Sequence, residues 1–214
     1  MRLKEISGVH IPSKEEFIRG IEEFERHEKR DVMYKIASFY ISHFWENPSD
    51  LTDGLAVLLL TWNRAFYRYG NLDFDRLEKT IRENMPTLTR YRRRDISIFN
   101  ENDEADIIKL FNKFLDTLQL SSGKKKGRKS PVSTSKAIHM LAPSFFPLWD
   151  NKIAKAYGCN YTKNPTKQYI RFMWIMKDFA KQVKDYINIS RYQNKTLLKL
   201  IDEYNYAKYT KGWI

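Results

Sequence analysis

Residues 130–157 read Ser130-Pro-Val-Ser-Thr-Ser-Lys136-Ala-Ile-His-Met-Leu-Ala-Pro-Ser-Phe-Phe-Pro-Leu-Trp-Asp150-Asn-Lys-Ile-Ala-Lys-Ala-Tyr157. This pattern predicts a turn, a short helix that starts after Ser133 or Thr134 and carries Lys136, an aromatic loop, and a second helix that follows Asp150. An aspartate just before a helical run is typical of an N-cap, whose side chain accepts a hydrogen bond from a free backbone N–H. The stretch therefore predicts two helices, with a lysine near the start of one and an aspartate at the start of the other.

The composition extends this helical prediction to the whole chain. Hydrophobic residues make up 42% of the 214 residues, while 8 glycines and 7 prolines supply few of the turns that a β-rich fold requires. The sequence has no convincing hairpin pair and no repeat of fixed period. We therefore expect one all-α domain over residues 1–214, with two helical lobes around a cleft that has Lys136 and Asp150 on its walls.

Local signals divide the chain into helices and one obvious linker. Ser13 is the expected N-cap of the first helix, with Glu16 as its capping-box partner. A helix over 51–69 is apolar on almost every side and should be central and buried. The other expected features are a helix at 31–45, a helix opened by Pro86, a cap at Asn102 or Asp103, a helix from Pro165 to about Tyr186, and a last helix near 192–206. The expected segments are a helical lobe at 1–120, a basic loop at 121–130, the segment that holds Lys136 and Asp150 at 131–160, and C-terminal helices at 161–214.

The net charge indicates a polyanionic partner. Lysine and arginine outnumber aspartate and glutamate by 38 to 26, which gives a net charge of +12. The excess concentrates at 90–94 and 124–129, and such clusters bind phosphate groups, although a solvated loop can have the same composition. We expect nucleic acid as the partner of these two clusters.

Several classes of function are excluded by what the sequence lacks. Cys159 is the only cysteine, so the chain can form no internal disulfide, four-cysteine zinc site or iron–sulfur cluster. No phosphate-binding glycine loop, zinc-protease motif or serine-hydrolase motif is present, and the four histidines have no metal-ligand spacing. The N-terminus lacks the apolar core of a signal peptide, and the longest apolar run, 55–60, is too short to span a bilayer. We expect a soluble, cytoplasmic monomer that needs no cofactor, metal or membrane.

Lys136 is the candidate nucleophile of the chain. Apolar residues surround it in sequence at 137–138 and 140–141, and partial burial would lower its pKa and supply the neutral amine that Schiff-base chemistry requires. The plain alternative is a surface lysine. Asp150 follows an aromatic wall at 145–149 and can stabilise positive charge as well as cap a helix. His139 is expected to be a packed or hydrogen-bonded residue on the same helix face as Lys136.

The order of these landmarks resembles the helix-hairpin-helix DNA glycosylase superfamily, which contains endonuclease III and the oxoguanine glycosylases. Ser130-Pro131-Val-Ser-Thr-Ser-Lys136 matches the family's hairpin, L-P-G-V-G-x-K, at its proline and lysine, and Phe146-Pro147-Leu-Trp-Asp150 is similar to the segment that carries its aspartate. Leu58-Leu59-Leu60-Thr61-Trp62-Asn63 is similar to the L-L-S-x-Q element, whose polar residue fills the gap that a flipped base leaves. Both hairpin glycines are missing.

The resemblance implies a base-excision glycosylase with AP-lyase activity that acts on double-stranded DNA. Lys136 would be the Schiff-base nucleophile and Asp150 the electrostatic stabiliser. The implied DNA contacts are Lys124, Lys125, Lys126, Arg128, Lys129, Ser133, Ser135, Asn63, Arg64, Arg92, Arg93 and Arg94, and the implied base pocket is Trp62, His139, Phe146 and Trp149. The alternative is a non-catalytic nucleic-acid-binding module on the same scaffold, which the missing glycines favour.

Overall fold

The computed structural model describes residues 10–28, 31–192 and 194–214. Helices make up the regular structure of these ranges, which contain no strand, so the all-α prediction is confirmed. The α-helices are α1 (Lys14–His27), α2 (Val32–His43), α3 (Pro48–Trp62), α4 (Arg64–Tyr67), α5 (Phe74–Arg92), α6 (Glu101–Thr117), α7 (Pro131–Leu141), α8 (Asn151–Ala156), α9 (Pro165–Val183) and α10 (Leu197–Asn205). Short 3₁₀ turns lie at Ile96–Ile98 and Ile189–Arg191, and a π-helical segment at Tyr206–Lys211 follows α10.

The start of α1 follows the sequence prediction only in part. Ser13 is the N-cap, and its hydroxyl accepts a hydrogen bond from the backbone N–H of Glu16 over 3.2 Å. The prediction that Glu16 completes a capping box is wrong, because its carboxylate accepts hydrogen bonds from α10 and the π-helical segment instead. It accepts a hydrogen bond from the Tyr204 hydroxyl over 2.9 Å and another from the Lys208 ammonium.

The single helix expected over 51–69 is two helices. Asn47 caps α3 through Ser49 N over 3.1 Å, and Pro48 takes the first helical position, where its missing N–H is not needed. The helix ends at Trp62, and Asn63, with φ −114° and ψ 28°, separates it from α4. The break turns the Asn63 side chain towards α7, where its amide donates to Ser133 Oγ.

Three other boundary predictions were wrong. Pro86 lies inside α5, which continues because the loss of one backbone hydrogen bond is offset by the burial of Leu77 and Leu88. Asn100 caps α6, and Asp103 completes its capping box. The last α-helix begins at Leu197 rather than near 192.

The core joins the helices into a single packed cluster. Helix α3 packs against α2, α5 and α7, while α9 packs against α6, and α10 against α1. Trp149 links the starts of α7 and α8, because its indole N–H donates to the Pro131 carbonyl over 3.2 Å. Its ring also packs against Tyr169 with 5.1 Å between centroids. No helix within the described ranges is both long and apolar enough to cross a bilayer.

Candidate functional site

A pocket of about 330 Å³ lies where α3, α7, α8 and α10 approach one another. Lys136 and Asp150 both line it, together with a second lysine and three further carboxylates. The charged lining residues are Glu28, Asp31, Lys136, Asp150, Lys199 and Asp202, and the apolar and aromatic ones are Phe24, Trp62, Leu148, Trp149, Ile153 and Tyr206. The pocket thus combines aromatic surface with titratable groups of both signs, as ligand sites commonly do.

Lys136 projects from the second turn of α7. The helix begins at Pro131 rather than after Ser133 or Thr134, because Ser130 is the N-cap and accepts from Ser133 N over 3.1 Å. The Lys136 ammonium donates to Asn63 Oδ1 over 2.6 Å and to the Trp62 carbonyl over 3.4 Å. Burial lowers the pKa of Lys136 to about 8, against the opposing effects of Asp202 and Asp150.

Asp150 is the N-cap of α8, as predicted. Its Oδ1 accepts a hydrogen bond from Ile153 N over 2.8 Å. Its Oδ2 accepts one from the Thr210 hydroxyl over 2.6 Å, and Thr210 belongs to the π-helical segment near the end of the chain. Both oxygens are therefore oriented, which holds a negative charge in a fixed place on the pocket wall.

The opposite wall carries a group of charges that the sequence analysis missed. Lys199 on α10 is 1% exposed, and its ammonium lies 3.1 Å from Asp31 Oδ2, 3.2 Å from Glu203 Oε1 and 3.8 Å from Asp202 Oδ2. Burial alone would lower the pKa of Lys199, but the carboxylates of Glu203, Asp202 and Asp31 outweigh it and raise the pKa above its usual value. Burial raises the pKa of Asp202 to about 7, with Lys199 opposing. The spacing of Lys199, Asp202 and Glu203 on one helix is the only sequence signal for this group.

Two of the four residues assigned to a base pocket lie elsewhere. Trp62 and Trp149 line the pocket, whereas His139 and Phe146 do not. His139 is fully buried between the Tyr34 hydroxyl, 3.0 Å from Nε2, and the Phe146 carbonyl, 2.7 Å from Nδ1. Burial lowers its pKa to about 3, so the neutral ring donates to the carbonyl and accepts from the tyrosine.

Three of the polar residues predicted to contact DNA form hydrogen bonds within the protein instead. Asn63 and Ser133 are buried and bond to each other. The buried Ser135 hydroxyl donates to the Val132 carbonyl over 3.0 Å. Arg64, by contrast, is exposed at the start of α4. The bond between Asn63 and Ser133 thus ties α7 to the end of α3, the Ser135 bond lies within α7, and of these four residues only Arg64 presents its side chain to solvent.

Two of the predicted arginine ligands in the cluster at 90–94, Arg92 and Arg94, also contact groups within the protein. Arg94 makes two hydrogen bonds to the Asp103 carboxylate, one of them 2.7 Å long. Arg92 donates to the Leu141 carbonyl over 3.1 Å and lies 4.1 Å from the ring centroid of Trp45. Arg93 is exposed. This cluster thus offers fewer cations to a ligand than its sequence suggests.

The basic loop at 121–130 has a defined turn structure and presents its cations to solvent. Leu120 N donates to the Arg128 carbonyl over 3.0 Å, and Gly127 N donates to the Leu120 carbonyl over 2.8 Å. Gly123 has φ +81°, and a Cβ there would lie 2.4 Å from the Tyr69 carbonyl oxygen, so only glycine fits. All residues from 124 to 129 are exposed.

Two of the loop's cations have partners within the protein. Lys129 pairs with Asp116, and Lys125 lies 3.7 Å from the ring centroid of Tyr69. Lys124, Lys126 and Arg128 form no ion pair with any residue that the structure describes. These three side chains are the ones most available to an anionic ligand.

Comparison with protein-family models, curated proteins and solved structures found no significant match to this chain. Among the described residues, no three histidine, cysteine, aspartate or glutamate side chains are grouped so that they could hold a metal ion. The chemistry of the pocket is therefore the basis for a functional proposal.

Proposed function

We propose that this protein is a DNA base-excision glycosylase with lyase activity, in which Lys136 is the Schiff-base nucleophile. The observation that carries the proposal is the lysine in the pocket, whose pKa burial lowers to about 8. At about pH 7.5 roughly a quarter of such amines are neutral, against about one in a thousand for an ordinary lysine. Only the neutral amine can attack carbon.

The pocket suits a flat ring that has left a base stack. Its volume of about 330 Å³ lies within the range of about 300–1,000 Å³ that is typical of ligand sites. Its wall includes Trp62, which is partly exposed, and aromatic side chains commonly stack on an extruded base. A base inside a duplex cannot reach such an enclosed site, so the target nucleotide must be flipped out.

The proposed reaction has three stages: displacement of the base, formation of an imine and cleavage of the strand. The Lys136 nitrogen attacks C1′ of the sugar, the bond from C1′ to the base breaks, and the base leaves with the bonding pair and takes up a proton. The nitrogen loses a proton to water, the C1′–O4′ bond opens, O4′ is protonated, and a protonated imine results. Asp150, whose oxygens Ile153 N and Thr210 orient, stabilises the positive charge on the sugar. Loss of a C2′ proton then expels the 3′ phosphate and cuts the strand.

The exposed cations of the loop support a DNA substrate. Lys124, Lys126 and Arg128 are exposed in a loop with a defined turn structure, and each phosphate contact releases a condensed counterion. Such contacts position a duplex without reading its sequence. The loop would thus hold the strand while the pocket acts on one nucleotide.

A second candidate is a non-catalytic nucleic-acid-binding module. The observation that favours it is the hydrogen bonding of Lys136 to Asn63 and the Trp62 carbonyl, which a purely structural lysine would also make. The segment matched to the family's hairpin also forms the start of α7 and has no glycine. In this candidate the exposed loop cations bind DNA and the pocket performs no reaction.

Borohydride trapping separates the two candidates. The wild type is incubated with duplexes that contain an abasic site, 8-oxoguanine or 1,N6-ethenoadenine, and borohydride reduces any imine to a stable protein–DNA adduct. We expect an adduct with the wild type and none with Lys136→Gln. Lys155→Gln, which changes an exposed lysine of α8 outside the pocket, is the matched control and should trap like the wild type.

Circular dichroism and filter binding show whether each variant keeps its fold and its non-specific affinity. Trapping by Lys136→Gln at the wild-type level would contradict the role of Lys136. Failure of the wild type to trap on every duplex, with DNA affinity retained, would favour the binding module.

A further inference from the structure

Asp202 lies on α10 and faces the pocket from a different helix than Lys136 and Asp150. Its side chain is 12% exposed, so it is reachable from the pocket but shielded from bulk water. Its carboxylate makes no hydrogen bond to any residue within the described ranges, and its only ion pair there is with Lys199 at 3.8 Å. A pocket carboxyl group without a hydrogen-bond partner is available to a bound ligand.

The surroundings of Asp202 favour its protonated form, mainly through burial. The Lys199 ammonium is closer to Asp31, at 3.1 Å, and to Glu203, at 3.2 Å, than to Asp202. Burial raises the pKa of Asp202 to about 7, Asp150 and Glu203 act in the same direction, and Lys199 and Lys136 oppose. This carboxyl group therefore keeps its proton to a higher pH than an ordinary aspartate does.

The other carboxylates of the pocket are less suited to proton transfer. Both Asp150 oxygens accept hydrogen bonds, from Ile153 N and the Thr210 hydroxyl, which suits a fixed negative charge. Asp31 lies beside the Lys199 ammonium. Glu28, next to the end of α1, is exposed to solvent. Asp31 is as well shielded as Asp202 and also accepts no hydrogen bond from any described residue, but it pairs with the Lys199 ammonium at 3.1 Å, whereas Asp202 is 3.8 Å from that ammonium. Asp202 is therefore the shielded carboxyl group that is least engaged by a neighbouring charge.

The proposed excision needs a proton donor as well as a nucleophile. A base that leaves with the bonding pair of its bond to C1′ is a poor leaving group unless a proton reaches one of its nitrogen or oxygen atoms. A site that holds an amine with a lowered pKa and a carboxyl group with a raised pKa contains both partners for this step. Lys136 and Asp202 are such a pair in one pocket.

We propose that Asp202 is a catalytic residue of this pocket, the general acid that protonates the departing base as the bond to C1′ breaks. The inference rests on the proposed glycosylase function. The proton leaves the Asp202 carboxyl group for the base, the Lys136 nitrogen supplies the electron pair of the new bond, and solvent water reprotonates Asp202 after the base has left. The proposal predicts a defect confined to base release, because an abasic site has no base to protonate.

The test compares two substrates with one variant. Asp202→Asn keeps the shape of the side chain and removes the transferable proton, and Asp178→Asn, an exposed aspartate of α9 outside the pocket, is the matched control. Base release is measured in single turnover on duplexes that contain 8-oxoguanine or 1,N6-ethenoadenine, and borohydride trapping is measured on a duplex with a preformed abasic site. We expect Asp202→Asn to slow base release by about 10²-fold or more. It should trap at the abasic site at least as fast as the wild type, because the carboxylate that it removes raises the pKa of Lys136. Retained trapping also shows that the variant is folded.

Each other outcome has a distinct meaning. Base release by Asp202→Asn at the wild-type rate would overturn the acid role, as would an equal loss of release and trapping. A wild type that traps at the abasic site but releases neither base would also overturn it, while leaving Lys136 as a lyase nucleophile. A wild type that neither traps nor releases a base would overturn the proposed function itself.

Discussion

The Lys136 ammonium donates a hydrogen bond to Asn63 Oδ1 over 2.6 Å, and the Asn63 amide N–H₂ donates to Ser133 Oγ. Asn63 occupies the break between α3 and α4, while Ser133 and Lys136 belong to α7. Because the ammonium can only donate, it selects the oxygen end of the amide, and the bond from the amide N–H₂ to Ser133 holds the amide in that orientation. A neutral acceptor also holds the amine without adding the negative charge that would keep it protonated.

Asn63→Asp should therefore suppress the formation of an imine by Lys136 at neutral pH. A carboxylate at this distance typically raises the pKa of a lysine by about 1–3 units, so the neutral fraction of Lys136 falls about tenfold or more. We expect trapping at about pH 7.5 to fall in proportion and to recover above about pH 9. The rate of trapping against pH for both proteins is the measurement, and superimposable profiles would contradict the activation of Lys136 by its surroundings.

Neutral replacements in the basic loop should weaken DNA binding in a salt-dependent way. We expect the triple variant Lys124→Gln, Lys126→Gln, Arg128→Gln to bind DNA with a weaker salt dependence. The slope of log affinity against log salt concentration should decrease in magnitude by about 0.9 for each phosphate that the loop no longer neutralises. A variant with the same net charge, Lys14→Gln, Lys79→Gln, Lys109→Gln, changes exposed lysines on three other helices. If both triple variants change the slope equally, net charge rather than the loop determines binding.

Thr210→Val should slow the reaction through Asp150. The substitution removes the hydroxyl that donates to Asp150 Oδ2 over 2.6 Å and leaves the α8 cap at Ile153 N in place. A hydrogen bond to a charged group contributes about 1.5–3 kcal/mol, which corresponds to at most about a 10- to 150-fold slower trapping rate. Thr210→Ser keeps the hydroxyl and should react like the wild type. Equal rates for the valine and serine variants would show that this contact does not serve the reaction.

His139 should make the protein sensitive to acid. Its pKa is about 3 in the folded protein and near 6.5 in the unfolded chain, so the folded state binds fewer protons between these values. The stability contributed by His139 is present above about pH 6.5 and is lost as the pH falls towards 3, by up to about 1.4 kcal/mol per pH unit. Asp202, with its raised pKa, acts in the opposite direction between about pH 4 and 7, so the comparison must be made between variants.

Urea unfolding of the wild type and His139→Gln at several pH values measures this effect. The variant should be less stable at pH 7, because it disturbs two buried hydrogen bonds, and its stability should depend less on pH. His43→Gln, which changes an exposed histidine, is the matched control. Parallel curves for the wild type and His139→Gln would contradict the buried, neutral state of the imidazole.

The sequence predicts best those features that neighbouring residues determine. Helix caps at Ser13 and Asp150 follow from a polar side chain next to an apolar periodic run, and both are present. Lys136 and Asp150 were expected to face the same space, and both line one pocket. They are 14 positions apart, and the connection between them is short enough for local patterns to suggest their proximity.

Features that depend on distant parts of the chain could not be predicted from local patterns. Asp202 lines the pocket and Thr210 bonds to Asp150, but both belong to helices more than 50 residues after Asp150. No local periodicity in the sequence indicates that these helices approach the pocket. The helix break at Asn63 occurs because a polar side chain finds partners on α7, which overrides the helical preference of 51–69. Arg92 and Arg94 looked like DNA ligands only because their internal partners, Ser42 and Asp103, lie elsewhere in the sequence.

The hydrogen bond from the Trp149 indole to the Pro131 carbonyl fixes the spacing between the starts of α7 and α8. It joins the first residue of α7 to the residue before Asp150, so this spacing does not depend on the basic loop. Substitution of the exposed side chains at 124–126 should therefore leave Lys136 and Asp150 in place, whatever the loop binds. The surface of the loop and the interior of the pocket can thus be engineered independently, provided that the tryptophan is kept.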